Sequence, residues 1–154
     1  MLRELQTIAN KNVDTMYKAD VAMVTGMAVV KNFADKTADM PTAATVEGFY
    51  FVNKERVPIG INCAKTDMSD YEEDFTAIKT GEPVKLITPM IGERYAVDQY
   101  VATGLTVGNS LMVGTDGKFV KATVASRIIY GGTFDDAGHT LAIVEISGAP
   151  VTNA

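Results

Sequence analysis

The chain has 154 residues and carries 14 Lys and Arg against 19 Asp and Glu, which gives a formal net charge of -5 at pH 7. This balance argues against a general nucleic-acid-binding protein, because affinity for phosphates requires clustered basic residues. No window reaches the ~18 consecutive apolar residues that span a bilayer. The single cysteine, Cys63, excludes both an internal disulfide and a cysteine-based zinc site.

Residues 1–18 differ in pattern from the rest of the chain. Their apolar side chains recur at steps of three or four, with polar residues between them: Leu2, Leu5, Ala9, Val13 and Met16. This spacing is typical of an amphipathic helix, so we expect a short N-terminal helix, or an arm that becomes ordered on docking, before a single β domain over 19–154. The segment has charges and amides where a secretory signal would be apolar, so we expect synthesis in a cytoplasm.

From residue 19 onward the pattern is that of strands and turns. VAMVTGMAVVKN (21–32) is rich in β-branched residues and bends at Thr25-Gly26, and VEGFYFVNKE (46–55) alternates apolar and polar residues. FADKTADMPTAAT (33–45) and RVPIGINCAKTDMSDYEED (56–74) contain prolines and have no period, so both are predicted to be loops.

The second half of the chain has turn signals roughly every 8 to 12 residues, a spacing typical of sandwiches and barrels. They fall at Gly81, Gly92, Gly104, Gly108, Gly117, Gly131-Gly132 and Gly138. The sequence therefore predicts an all-β fold. A small antiparallel β-barrel is favoured, because a set of many short strands needs its edges covered.

The residues that could carry chemistry do not form a recognisable site. His139 is the only histidine, and its context DDAGH predicts a loop; no serine lies in the G-x-S-x-G elbow that a triad enzyme of that type requires. The acidic run over 67–74 lacks the spacing of the twelve-residue calcium loop, so a solvated loop is predicted, with cation binding left open. No phosphate-binding glycine motif is present, and no cofactor is expected.

Lys118 raises a separate question in the stretch GLTVGNSLMVGTDGKFVKA (104–122). Asp116-Gly117 predicts a tight hairpin turn, which leaves two alternatives. Lys118 is either the solvated first residue of the returning strand or a lysine presented for attachment of a group, as in a biotinyl or lipoyl carrier domain. Its neighbours Gly117 and Phe119 are not those that such carriers place around the lysine.

The region from Val46 to Ile146 resembles the capsid decoration, or cement, proteins of tailed bacteriophages. The resemblance lies in VEGFYFVN, PIGIN, TGEPVKLI, TGLTVGNSLMVGTDGKFVKA and RIIYGGTFDDAGHTLAIVEI. It implies a β-barrel or β-tulip-like fold without catalysis. It also implies many copies on the outer surface of the capsid, contact with the major capsid protein, and frequent trimers.

The N-terminal segment is longer and more helix-like than the short extended arms expected in that family. Its apolar residues are nevertheless the candidate contacts with the capsid or another partner: Leu2, Leu5, Ile8, Val13 and Met16. The function expected from the sequence is therefore that of a non-enzymatic virion protein. The alternatives are another virion β module, such as a tail-tube or head-fibre base subunit, and the carrier domain.

Overall fold

The structure is a computed structural model that describes residues 1–8, 13–54, 71 and 73–153. In chain order the elements are β1 (Leu2–Gln6), β2 (Val13–Ala19), β3 (Met23–Val24), β4 (Ala28–Asn32), β5 (Thr37–Asp39), β6 (Tyr50–Lys54), α1 (Glu73–Thr76), β7 (Ala77–Ile78), β8 (Pro83–Ile87), β9 (Arg94–Val97), β10 (Ser110–Val113), β11 (Phe119–Lys121), β12 (Ser126–Asp136) and β13 (His139–Val151). The predicted all-β class is confirmed.

The strands form a closed barrel and a separate sheet. The barrel has the order β2-β5-β4-β6-β8, and its neighbouring strands are antiparallel except for the parallel pair β2 and β5. A six-stranded antiparallel sheet has the order β1-β9-β13-β12-β10-β11. Strands β3 and β7 pair separately as a short ribbon.

Three barrel strands are apolar on both faces, and this joins the barrel to the sheet. Alternate side chains of a strand point to opposite faces. Ala28, Phe51 and Ile87 lie in one buried cluster with residues of the six-stranded sheet, which we call the shared core. Their neighbours Val29, Val52 and Leu86 lie in a second cluster inside the barrel, the barrel core. The sheet therefore packs one face on the barrel wall.

Aromatic side chains form the centre of the shared core. The ring centroid of Phe51 lies 4.4 Å from that of Tyr95 in the sheet and 5.6 Å from that of Phe119. Phe49 meets both phenylalanines edge to face, at 5.6 and 5.8 Å. Edge-to-face and tilted arrangements are the ones that aromatic quadrupoles favour, so these rings fix how the two layers sit on each other.

The predicted N-terminal helix is wrong for the described residues, which form β1 and β2 instead. Strand β1 pairs with β9, and β2 pairs with β8 and β5. A bulge interrupts each strand, between Glu4 and Gln6 and between Asp14 and Tyr17. The spaced apolar residues do not share a face: Leu2 lies in the shared core, whereas Leu5 and Met16 are exposed. Strand pairing with β9, β8 and β5, and not the local spacing, decides the structure of this segment.

Two other predictions about turns and loops are also corrected. The predicted loop over 33–45 contains β5, whose residues Thr, Ala and Asp have little strand preference of their own; β5 forms because β2 and β4 flank it. Gly131-Gly132 is not a turn but a bulge inside β12, at the register shift between Tyr130 and Thr133. The predicted loop over 56–74 lies outside the described residues except for Tyr71, Glu73 and Asp74.

The hairpin between β10 and β11 is docked against the barrel. The amide of Ala28 donates to the carbonyl oxygen of Gly117 at 2.8 Å. A Cβ added to Gly117 would lie 3.1 Å from the carbonyl oxygen of Ala28 and 3.0 Å from Met40 Sδ. Lys118 is half-buried, and its amide donates to Asp116 Oδ1 at 3.2 Å. Lys118 therefore directly precedes the returning strand β11, beside a packed turn, but it is half-buried, whereas the first alternative predicted a solvated residue.

One end of the barrel interior holds an ion pair among tyrosine rings. Lys31 Nζ lies 2.7 Å from Asp14 Oδ2, and the lysine side chain is only 10% exposed. The same nitrogen lies 4.4 Å from the ring centroid of Tyr50 and 5.0 Å from that of Tyr17. The hydrogen bond from Lys31, with a further one from the amide of Met16, holds the pKa of the Asp14 carboxyl below its ordinary value of 3.8.

Replacing Gly117 by alanine should destabilise the protein more than replacing Gly104 by alanine. Both glycines have a positive φ, 73° and 71°, so both variants carry similar backbone strain. Only a Cβ at Gly117 meets neighbouring atoms, whereas nothing lies within 4 Å of one at Gly104. In urea titrations we expect the free energy of unfolding of Gly117→Ala to be lower than that of Gly104→Ala by about 1–3 kcal/mol, the usual cost of overpacking. Equal values would contradict the docked hairpin.

Acid should weaken the barrel through Asp14. Because the folded state lowers this pKa, the stabilisation is complete above the ordinary carboxyl pKa and is lost as the pH falls through the lower folded value. We expect Asp14→Asn to lower the free energy of unfolding at pH 7 by on the order of 1 kcal/mol. The difference from the wild type, measured by urea unfolding, should shrink as the pH falls below the ordinary carboxyl pKa of 3.8. A difference independent of pH would contradict this role.

Candidate interaction surfaces

A buried carboxylate organises the first exposed apolar surface. Glu93 is fully buried, and its oxygens accept hydrogen bonds from the amides of Ile8, at 3.0 Å, and Met90, at 2.8 Å. The hydroxyl of Tyr95 donates a third bond to the same carboxylate. Burial, followed by the hydrogen bond to Glu93, raises the pKa of Tyr95, so this hydroxyl keeps its proton and remains a donor.

The consequence of this arrangement is that two distant segments are held side by side at the surface. Ile8 and Met90 are bonded to the two oxygens of one carboxyl group, and their side chains are 47% and 44% exposed. Ile91 is 57% exposed and lies over Gly148. Val13 is 44% exposed and pairs with Ile87, three residues before Met90. We call Ile8, Val13, Met90 and Ile91 the edge patch.

The second surface is the side of the six-stranded sheet that faces away from the barrel, which we call the outer face. Leu111, Ile128 and Val144 point into the shared core, so their strand neighbours point outward. Of these neighbours, Met112, Ile129 and Ile143 are half-buried apolar residues, and Arg127 and Glu145 are half-buried charged residues. An antiparallel sheet with one solvated face normally carries polar residues there, so the apolar residues among them make the outer face a candidate interface.

A groove of about 450 Å³ crosses the outer face between β1 and β12. Leu5 and Gln6 lie on one side of it, and Val107 and Gly108 lie on the other. Gly131 and Ile143 both line it, and Ile143 Cγ2 lies where a side chain at Gly131 would be, 2.8 Å from the position of a Cβ there. In the groove, Arg94 Nε lies 2.8 Å from Glu145 Oε2, with side chains 50% and 36% exposed.

The residues predicted from the sequence divide between these surfaces and the core. Leu2 is 8% exposed and lies in the shared core, so its side chain supports the fold and does not present a surface. Leu5 lies in the groove of the outer face, and Ile8 and Val13 lie in the edge patch. Met16 is 77% exposed on β2, in the bulge beside the Asp14 and Lys31 pair. A contact role for these four exposed residues stays a prediction.

The sequence reasoning missed the exposed residues contributed by loops. Met90, Ile91 and Val107 each precede a glycine in a predicted turn, in TPMIGE and LTVGN. Large apolar residues at turn positions are a usable signal, because a turn on the surface has no core in which to bury them. That signal would have identified these three residues.

The neighbourhood of His139 is a structural cluster. The ring of Tyr71 stacks on that of His139 at 3.6 Å, and the Tyr71 hydroxyl donates to Asp136 Oδ2 at 2.7 Å. Burial, with this hydrogen bond, raises the pKa of Tyr71. Arg3 Nε lies 2.6 Å from the same carboxylate oxygen. These contacts attach the turn between β12 and β13 to β1.

The described residues contain no candidate metal site, because no three of their His, Cys, Asp or Glu residues are grouped so that they could hold an ion. The acidic run over 67–74 and Cys63 lie outside the described residues, apart from Tyr71 and the backbone of Glu73 and Asp74 in α1. Among the described elements, no helix has the length and hydropathy needed to cross a membrane.

Comparison with known proteins gives no relative. No protein-family model matches the chain, and neither the curated proteins nor the solved structures give a match. The functional argument therefore rests on the two surfaces and on the sequence pattern.

Replacing Glu93 by glutamine should loosen the edge patch. A glutamine side chain has one acceptor oxygen where three donors converge, so at least one buried donor loses its partner. We expect the free energy of unfolding to fall by about 1–3 kcal/mol, and hydrogen exchange at the amides of Ile8 and Met90 to accelerate.

The matched control for that experiment is Glu82→Gln. Glu82 Oε2 accepts the amide of Lys79 at 2.8 Å, the same three-residue spacing and distance as between Met90 and Glu93, but its side chain is 27% exposed. Water can replace the lost acceptor there, so we expect a smaller change. Equal effects of the two substitutions would show that burial of Glu93 is not what fixes the patch.

Proposed function

We propose that this protein is a non-enzymatic structural protein of a bacteriophage virion, which binds the outer surface of the capsid and stabilises the shell. The partner would be the major capsid protein, and no cofactor takes part in the proposal. The observation that carries it is the edge patch, in which a buried carboxylate holds the backbone of two distant segments that bear exposed apolar side chains. The sequence resemblance over Val46 to Ile146 points to the same class of protein.

The physical argument begins with the rigidity of the patch. Ordering flexible side chains on binding costs roughly 0.5–1.5 kcal/mol for each of them. Here the backbone amides of Ile8 and Met90 are already bound to Glu93 in the unbound protein. Contact with an apolar surface can then remove side-chain area from water with little further ordering of the backbone.

Stabilisation of a shell follows from such contacts by linkage. A protein that binds the closed shell but not the opened one shifts the equilibrium toward the closed form. If one copy bridges neighbouring capsid subunits, opening the shell must also expose the buried patch. Many copies on one head multiply this effect, because contacts of modest affinity act together.

The described residues give the carrier alternative no support. The turn beside Lys118 is packed on Ala28 and Met40, whereas a carrier lysine has to enter the active sites of other enzymes. For the tail-tube and head-fibre alternatives, no feature of the structure favours them over a decoration protein.

The proposal is tested with undecorated, expanded heads of the phage that encodes the chain. We expect the purified protein to cosediment with these heads and to raise the temperature at which they are disrupted. Ile91→Glu, which places a charge in the edge patch, should weaken binding at least tenfold. The control Val21→Glu changes a residue that is 42% exposed between β2 and β3 and should bind normally.

Two results would contradict different parts of the proposal. If the wild-type protein neither cosediments with heads nor protects them from heat, the decoration function is wrong. If the wild type binds and Ile91→Glu binds equally well, the protein docks through another surface and the role of the edge patch is wrong.

A further inference from the structure

The outer face is shaped so that it can fit a copy of itself. The groove is bordered by Val107, whose side chain is 72% exposed and is the most prominent apolar projection on this side of the sheet. A projection beside a groove is self-complementary under a two-fold rotation, because each copy can place its projection in the groove of the other. Two-fold contacts require this property, since the same patch lies on both sides of the interface.

The projection is held in place by its loop. Gly108 donates its amide to the carbonyl oxygen of Tyr130 at 2.9 Å, and Tyr130 donates its own amide to the carbonyl oxygen of Asn109 at 2.8 Å. The side chain of Asn109 accepts the amide of Thr106 at 3.0 Å. Val107 therefore stands on a short turn fastened to β12, and little conformational freedom is lost when it is buried.

The floor of the groove is formed by the backbone of Gly131 and the side chain of Ile143. Gly131 contributes only backbone to the floor, and Ile143 Cγ2 fills the space that a side chain at Gly131 would need. Leu5, which is 37% exposed, lies on the far side. A valine entering from another molecule would meet aliphatic carbon on both sides and the glycine backbone beneath it.

Charge also favours a second copy as the occupant. Each chain has a net charge of -5, so two copies repel each other unless the surfaces that meet are balanced. The groove has one cation and one anion side by side, Arg94 and Glu145, and both remain partly exposed. Under a two-fold rotation, the arginine of each copy can approach the glutamate of the other. The face thus offers opposite charges to its own copy.

We propose that the protein forms a two-fold dimer through the outer face, with Val107 of each copy in the groove of the other. This inference does not depend on the decoration function. It differs from the trimer implied by the family resemblance, because a two-fold contact closes after two chains.

Sedimentation equilibrium at micromolar concentrations tests the proposal with the full chain. We expect the wild type to have twice the chain mass of 16.5 kDa. Val107→Glu should have the single-chain mass, with a dissociation constant raised at least tenfold, because it places a carboxylate in an apolar groove. Val21→Glu, on the barrel side of the molecule, should remain a dimer.

A charge-reversal pair makes the test specific for the proposed contact. Arg94→Glu leaves two anions in the groove and Glu145→Arg leaves two cations, so each variant should be a monomer on its own. When the two variants are mixed in equal amounts, opposite charges face each other and a heterodimer should form. Loss of folding cannot produce that recovery.

Several outcomes would overturn the dimer. These are a wild type with the mass of one or three chains, a Val107→Glu variant that still dimerises, or a mixture of the charge-reversed variants that remains monomeric. No capsid is present in these experiments, so such a result would leave the decoration function standing. Failure to bind heads would equally leave the dimer standing.

Discussion

Burial of strand β6 on both faces is the constraint on which the rest of the structure depends. Phe51 and Val52 are adjacent in sequence and both fully buried, one in the shared core and the other in the barrel core. Each buried apolar side chain of this kind contributes roughly 1.5–3 kcal/mol. A polar residue at position 51 would leave the barrel intact inside but remove the surface on which the sheet packs, and Tyr95 would lose its closest aromatic contact.

The barrel is closed and the six-stranded sheet is open, and the two therefore differ in the surfaces that they leave exposed. Closure of the barrel removes exposed strand edges, which otherwise attract other strands. It is completed by β5, a short strand of weak intrinsic preference that β2 and β4 hold between them. The sheet is open, and its outer face carries exposed apolar residues beside a few charged ones. The surface available to partners thus lies on the six-stranded sheet, because this layer is open whereas the barrel is closed.

The buried carboxylate of Glu93 holds the backbone of the edge patch in place. Taking a carboxylate out of water is costly unless hydrogen bonds replace its hydration, and Glu93 receives them from Ile8, Met90 and Tyr95. In return, the segment after β1 is fixed beside the turn before β9. This fixes the backbone of the edge patch, while the groove around Val107 lies on the outer face.

The sequence by itself determined the all-β class, most of the turns from residue 80 onward, and the hairpin at Asp116-Gly117. These depend on local backbone preferences, which alternation and glycine positions report directly. Strand partners, the two N-terminal bulges and the closure by β5 did not follow from it, because they depend on hydrogen bonds between distant segments. Only tertiary structure decided which of the exposed residues lie together: Ile8 bonds to Glu93 across 85 residues of chain, and no local pattern specifies that such residues will meet.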